Sequence, residues 1–141
     1  MQTYLAIDIG ASSGRHILGW VEEGNLHLEE RYRFENSLIK KNGRLCWDMD
    51  HLAEEVIQGL IKCRELSKIP DSVGIDTWAV DYVLLDGEGN PLGDAVTYRD
   101  SRTQGMDQLV EALVPPEELY ARTGIQKQEF NTIYQLMAVK T

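Results

Sequence analysis

The stretch Leu5-Ala6-Ile7-Asp8-Ile9-Gly10-Ala11-Ser12-Ser13-Gly14-Arg15-His16-Ile17 concentrates the residues best suited to chemistry. One carboxylate, Asp8, stands near the end of an apolar run. A turn of small residues follows, with two hydroxyls and a guanidinium at its exit, and the apolar pattern resumes at Ile17. That is strand, turn, strand. Phosphate oxygens need several donors at close range, and small residues let backbone N–H groups make that approach. A carboxylate beside them suits Mg²⁺, which binds through few carboxylates and keeps several waters. The pattern reads as a hairpin for a nucleotide phosphate, with Asp8 holding Mg²⁺ directly or through water. An ordinary hairpin, its Gly/Ser turn capped by a buried Asp, fits the same residues. Two other phosphate loops do not fit. No Gly-Lys-Ser/Thr ends the Gly10 to Gly14 interval, and no G-x-G-x-x-G occurs.

Other reactive side chains are thinly spread. Cys46 and Cys63 match neither zinc nor redox spacing and read as free thiols, Cys63 on a buried helix face. His16, His27 and His51 have no acid–base partner in sequence and read as surface or strand residues. The 14 basic and 23 acidic residues leave a net charge of −9, and no basic cluster exceeds Lys40-Lys41 with Arg44, which argues against nucleic acid. An anion such as ATP must then be met locally, by N–H donors and a metal. At 141 residues and 43% hydrophobic, the chain can build one domain with a core. No apolar run approaches the ~20 residues that span a bilayer. The N-terminus has no basic, apolar and cleavage-site pattern. The expectation is a cytoplasmic globular chain without a membrane partner.

Several elements must position the hairpin. Residues 3–9 and 15–22 read as strands, and Glu23-Gly24-Asn25 turns the chain. Leu26, Leu28, Tyr32 and Phe34 then alternate with His27, Glu29, Arg31, Arg33 and Glu35, a half-exposed antiparallel strand with one apolar face. Asn42-Gly43 signals a type I′ hairpin. Asp48 or Asp50 caps a helix whose Leu52, Val56, Leu60 and Ala53, Ile57, Ile61 make a wide apolar stripe, ended by Pro70. Ser72 to Trp78 reads as a buried central strand, parallel to the first through that helix. Further strands are expected at Asp81–Leu85 and Ala95–Tyr98. A helix over 103–113 puts Met106, Leu109, Val110 and Leu113 on one face. Pro115-Pro116 starts another helix and Gly124 stops it. Asn131 caps a last one, Thr132 to Lys140. That helix has no terminator, so the polypeptide is expected to continue.

Three antiparallel strands, a helix, a buried strand and further α/β elements suit a ribonuclease-H-like α/β domain. The hairpin resembles the first phosphate loop of the actin-like ATPase superfamily. Ala6-Ile7-Asp8-Ile9-Gly10-Ala11-Ser12-Ser13-Gly14-Arg15 resembles the opening of its FGGY carbohydrate kinases, and Ala11 to Arg15 the version in rhamnulose-phosphorylating members. Trp47-Asp48-Met49-Asp50, Ile75-Asp76-Thr77-Trp78-Ala79-Val80-Asp81-Tyr82, Tyr98-Arg99-Asp100-Ser101-Arg102-Thr103, Thr123-Gly124-Ile125 and Asn131-Thr132-Ile133-Tyr134-Gln135-Leu136 agree with it in order.

The resemblance implies a mixed sheet opening with three antiparallel strands, helices on its faces, in an incomplete first domain. Residues 1–141 would be the N-terminal part of the sugar- and phosphate-binding domain of a sugar kinase, with the rest of that domain and a second domain absent. It implies ATP-dependent phosphorylation of L-rhamnulose at its 1-hydroxyl. Ala11, Ser12, Ser13, Gly14 and Arg15 would contact the ATP phosphates, Asp8 would support Mg²⁺, and Trp78, Ala79 and Asp81 would contact the sugar. Ala79 stands where a common family form has Gly, and Tyr82 where it has Phe. The catalytic base and most of the adenine pocket would lie beyond Thr141, so no catalytic residue is expected here. Two alternatives stand beside this reading: a non-catalytic nucleotide-binding or interaction module, and a kinase for another ketose such as L-fuculose. Residue by residue, Arg15 could meet phosphate or a neighbouring carboxylate. Trp78 could stack on sugar or fill the core. Asp76 favours a structural role, and Asp81 could bond sugar or fix a loop. Arg99, Asp100 and Arg102 are expected to form an ion-pair cluster.

Overall fold

The computed structural model describes residues 1–141. In chain order the elements are β1 (Thr3–Ile9), β2 (Ser13–Glu22), β3 (Asn25–Glu35), β4 (Leu38–Lys41), β5 (Arg44–Trp47), α1 (Met49–Glu65), β6 (Ser72–Thr77), a 3₁₀ turn (Ser101–Thr103), α2 (Met106–Glu111), α3 (Pro116–Thr123) and α4 (Thr132–Lys140). They fall into two compact units. Met1–Leu38 and Asp48–Ala79 form the first; Ile39–Trp47 and Val80–Thr141 form the second. No helix is long and apolar enough to cross a membrane.

The first unit is a four-stranded sheet of order β3-β2-β1-β6. β1 runs antiparallel to β2 and parallel to β6, which the chain reaches through α1. Alternation in β1 sends Leu5, Ile7 and Ile9 into a core shared with Leu18, Phe34, Leu52 and Cys63. Asp48 caps α1 by accepting the His51 N–H at 3.1 Å. Helix-to-sheet packing is narrower than the expected stripe. Leu52, Gly59 and Cys63 are buried, while Ala53, Ile57 and Leu60 stay exposed. Gly59 decides which face turns inward, because a Cβ there would stand 2.2 Å from His16 Nε2. Burial pushes the Cys63 thiol up, so it stays protonated and inert.

Two strand readings are corrected. In β3, Tyr32 faces His16 but Glu30 faces Ile17, so Arg31 is the extra residue of a β-bulge. The bulge flips the alternation. Tyr32 and Phe34 face the core, whereas Leu26 and Leu28 point to the opposite side of the sheet and are exposed. It also turns Arg31 inward, where its side chain is almost fully buried and pairs with Glu29. β6 has the expected parallel register with β1, yet it is an edge strand, and every residue in it is exposed.

In the second unit Asn42 (φ 50°) and Gly43 (φ 77°) make the type I′ turn between β4 and β5. No strand forms at Asp81–Leu85 or Ala95–Tyr98. Only single bridges occur there, Leu85 with Pro91 and Cys46 with Val96. Backbone groups are met locally instead, as where Asp86 accepts from the Glu88 and Asn90 N–H groups at 2.8 Å. The 103–113 helix shortens to the 3₁₀ turn and α2, burying Val110 but leaving Leu109 and Leu113 exposed. α3 starts on Pro116 and stops at Gly124 (φ 65°), as expected. Asn131 stands at the N-cap of α4, but its amide donates to the Gln126 carbonyl rather than capping.

Of the two readings for His16, surface or strand, the strand one holds: it lies in β2 and is fully buried. Its Nε2 lies 3.2 Å from the Val56 carbonyl, which a neutral ring meets as donor. Burial lowers its pKa below the ordinary 6.5, against smaller raising effects of the Val56 hydrogen bond and Glu55. The unfolded chain therefore takes up a proton that the native ring refuses. Stability is complete above pH 6.5 and falls as pH drops through it toward the lowered native value. Urea unfolding between about pH 7 and pH 5 should give this acid-side loss, and His16→Phe should flatten it.

Candidate functional site

The β1–β2 turn is held from below and from one side. Gly10 donates its N–H to the Ser13 carbonyl at 2.9 Å. Asn36, just past β3, ties the tip down. Its backbone N–H donates to the Ser12 carbonyl at 3.0 Å, and its buried amide to the Gly10 carbonyl at 2.9 Å. The N–H groups of Ala11 and Ser12 have no protein acceptor. Beneath them, Phe34 packs against Gly14 so closely that a Cβ at position 14 would fall 2.1 Å from the ring. Glycine is required there by contact, not by backbone angle.

The turn opens onto a cleft of about 320 Å³ lined by Asp8, Gly10, Ala11, Ser12, Ser13, Arg15 and Arg33. Asp8 and Arg15 are cross-strand partners, and Arg15 Nε donates to Asp8 Oδ2 at 2.9 Å. The alternatives for Arg15 are thus not exclusive: it pairs with a carboxylate while facing the cleft. Both side chains are 45% exposed, so this surface pair adds little stability and yields readily to a ligand. Arg33 sits opposite Arg15 on β3 and pairs with Glu30 at 2.5 Å. Its guanidinium holds the Glu30 carboxyl below the usual carboxylate range. The cleft floor thus carries two arginines, each loosely neutralised, in a strongly acidic chain.

A divalent ion fits this donor set only in part-share. Asp8 Oδ2 is engaged with Arg15, and the other oxygen has no protein donor. No three His, Cys, Asp or Glu side chains converge anywhere in the chain. One exposed carboxylate suits Mg²⁺ that arrives with phosphates and retains water.

The expected sugar residues lie in different units. In the first, Trp78 is half-buried and packs against the core, and exposed Ala79 ends the unit. In the second, Asp81 accepts the Trp47 indole N–H at 2.6 Å through Oδ2 and the Gln135 amide at 3.1 Å through Oδ1. Val80, just before it, has φ 71°. A β-branched residue in that region is strained by about 1–2 kcal/mol.

The expected Arg99–Asp100–Arg102 ion-pair cluster does not form. Asp100 pairs with Arg44 at 3.3 Å and accepts the Leu45 N–H at 2.8 Å. Arg99 lies over the Tyr98 ring, and Arg102 over Tyr82. Sequence reasoning also passed over Asn36, Arg33 and Gln135. Arg33 could not be counted from the turn, because the Glu22–Asn25 register would set Tyr32 opposite Arg15, and only the bulge at Arg31 brings Arg33 there. Gln135 carried one signal of its own, a carboxamide between apolar neighbours in a segment that matched the family, and Asn36, between Glu35 and Ser37, carried none.

A mixed sheet with a parallel β1–α1–β6 crossover, opened by a phosphate-type hairpin, is the arrangement of the actin-like sugar kinases. The chain belongs to the FGGY family of carbohydrate kinases, whose N-terminal domain it matches over residues 3–141. It is 56% identical over 141 residues to the rhamnulokinase of Halalkalibacterium halodurans, covering 99% of this chain and 30% of that protein. To the rhamnulokinase of Bacillus subtilis it is 49% identical over 133 residues, covering 94% and 27%. The chain therefore spans about 30% of the length of such relatives. In fold it resembles the ligand-bound xylulose kinase of Lactobacillus acidophilus (TM-score 0.78, 16% identity, 100% of this chain and 29% of that one). It also resembles Plasmodium falciparum glycerol kinase with ADP (TM-score 0.73, 17% identity, 96% and 28%).

The Gly14–Phe34 contact is testable without any ligand. Gly14→Ala should cost about 1–3 kcal/mol by overpacking. In the Phe34→Leu background the same change should cost clearly less, a coupling of roughly 1 kcal/mol in a denaturation cycle. Additive costs would mean that the ring does not set the requirement.

Proposed function

We propose that the protein carrying this chain transfers the γ-phosphoryl group of ATP to the 1-hydroxyl of L-rhamnulose. Identity near one half to enzymes named rhamnulokinase carries the choice of sugar. The cleft at the β1–β2 turn supports the choice of phosphate donor. Residues 1–141 act in this reading as the N-terminal part of the first domain, in a cytoplasmic enzyme.

Phosphoryl transfer is mainly positioning and charge stabilisation. The N–H groups and hydroxyls of Ala11, Ser12 and Ser13 donate to phosphate oxygens. Gly14 allows the turn to lie on Phe34, and Arg15 swings from Asp8 to add positive charge. Asp8 holds Mg²⁺ directly or through water; the ion, when bound, neutralises charge on the phosphates. Arg33 supplements that role. On the sugar side Trp78 offers a ring face, Ala79 its backbone, and Asp81 an acceptor for a hydroxyl. The base that removes the hydroxyl proton is assigned to none of these residues, so this chain alone should give no steady turnover.

ADP release by the full-length protein tests the reading. L-Rhamnulose should be turned over with kcat/KM at least about tenfold above L-fuculose. Turnover favouring L-fuculose would shift the sugar assignment toward the alternative that Ala79 raises. Binding of ATP with no ketose phosphorylated would favour a nucleotide-binding module instead. Asp8→Asn should lower kcat by about 10²-fold or more while leaving the fold intact, read by far-UV circular dichroism.

A further inference from the structure

Val80 is the one β-branched residue of the chain held at positive φ, at 71°. Such a conformation persists only where its surroundings over-determine it. Two side chains of α4 do so. The Thr132 hydroxyl donates to the Val80 carbonyl at 2.6 Å, and Gln135 Nε2 lies 3.2 Å from the same oxygen. Thr132 and Gln135 are three apart, so one helix face presents both. Gln135 is fully buried. Its Nε2 also reaches the Phe130 carbonyl at 3.0 Å and Asp81 Oδ1 at 3.1 Å, while its Oε1 accepts from Arg102 Nη2 at 2.8 Å. Two amide hydrogens thus serve three acceptors, and the side chain has no freedom to rotate. The opposite oxygen of Asp81 is fixed by the Trp47 indole. Asp81 is thus clamped between α4 and β5.

We propose that Gln135 is a positioning residue for the sugar-binding segment, holding Val80 left-handed and setting the direction in which the Asp81 carboxylate faces. The inference rests on the sugar assignment made above, although its geometric half does not. A glycine would adopt this conformation at little cost. A valine forced into it by buried hydrogen bonds gives a stiffer turn, and stiffness is what orients a substrate hydroxyl.

Two variants of the full-length protein test it: Gln135→Met, close in volume but without hydrogen bonds, and Gln135→Ala. Both should raise KM for L-rhamnulose about tenfold or more with KM for ATP within about twofold. Hydrogen exchange should speed up in the peptide spanning 78–84 and not in β1 or α1. In a Val80→Gly background the KM effect of Gln135→Met should shrink, since the turn no longer needs the clamp. A uniform loss of thermal stability with unchanged KM would overturn the proposal, as would unchanged exchange at 78–84. Should wild-type protein not phosphorylate L-rhamnulose, the sugar assignment fails, and the exchange experiment alone then decides whether Gln135 holds this turn.

Discussion

A phenyl ring stands where any side chain at position 14 would have to go. That contact fixes how β2 leaves the turn, and the rest of the hairpin follows from it. With Gly14 seated on Phe34, Asp8 and Arg15 fall opposite one another. Asn36 then fastens the far side by accepting nothing and donating twice, to Gly10 and Ser12. The cleft therefore combines a tip of tied-down backbone, suited to phosphate oxygens, with a lining of Asp8, Arg15 and Arg33 side chains.

The same device recurs one layer deeper. Gly59 of α1 leaves room for His16 as Gly14 does for Phe34. The His16 and Phe34 rings are 6.2 Å apart, and Tyr32 packs on both. Tyr32 then reaches α1 through its hydroxyl, which donates to Glu55 at 2.6 Å. An aromatic layer so connects the floor of the hairpin to the helix that carries the chain to β6. Two missing side chains, on different elements, make that layer possible.

Much of this was legible in the sequence. The hairpin, its Asp8, the Asn42-Gly43 turn, the α1 crossover and the bounds of α4 all announce themselves through local chemistry. What escaped is non-local. A single inserted residue at Arg31 inverts the faces of half of β3, and alternation alone has no means of registering it. Ser72–Thr77 looked buried because its core Val73-Gly74-Ile75 is almost wholly apolar, and within residues 1–141 it is exposed because no strand lies on its outer side. Asp81–Leu85 looked like a strand by residue type, but the Val80 conformation and the Asp86 turn bend it out of any ladder. Gln135 was hidden for the same reason: its partners are 54 residues away at Asp81 and 33 at Arg102.

Amide chemical shifts in the ¹⁵N-labelled protein during titration with Mg²⁺ and ATP examine the cradle itself. The largest changes should fall on Ala11, Ser12 and Ser13, with Arg15 following as its guanidinium leaves Asp8. Silent tip amides, with changes gathered on a different surface, would mean that this turn is only a turn.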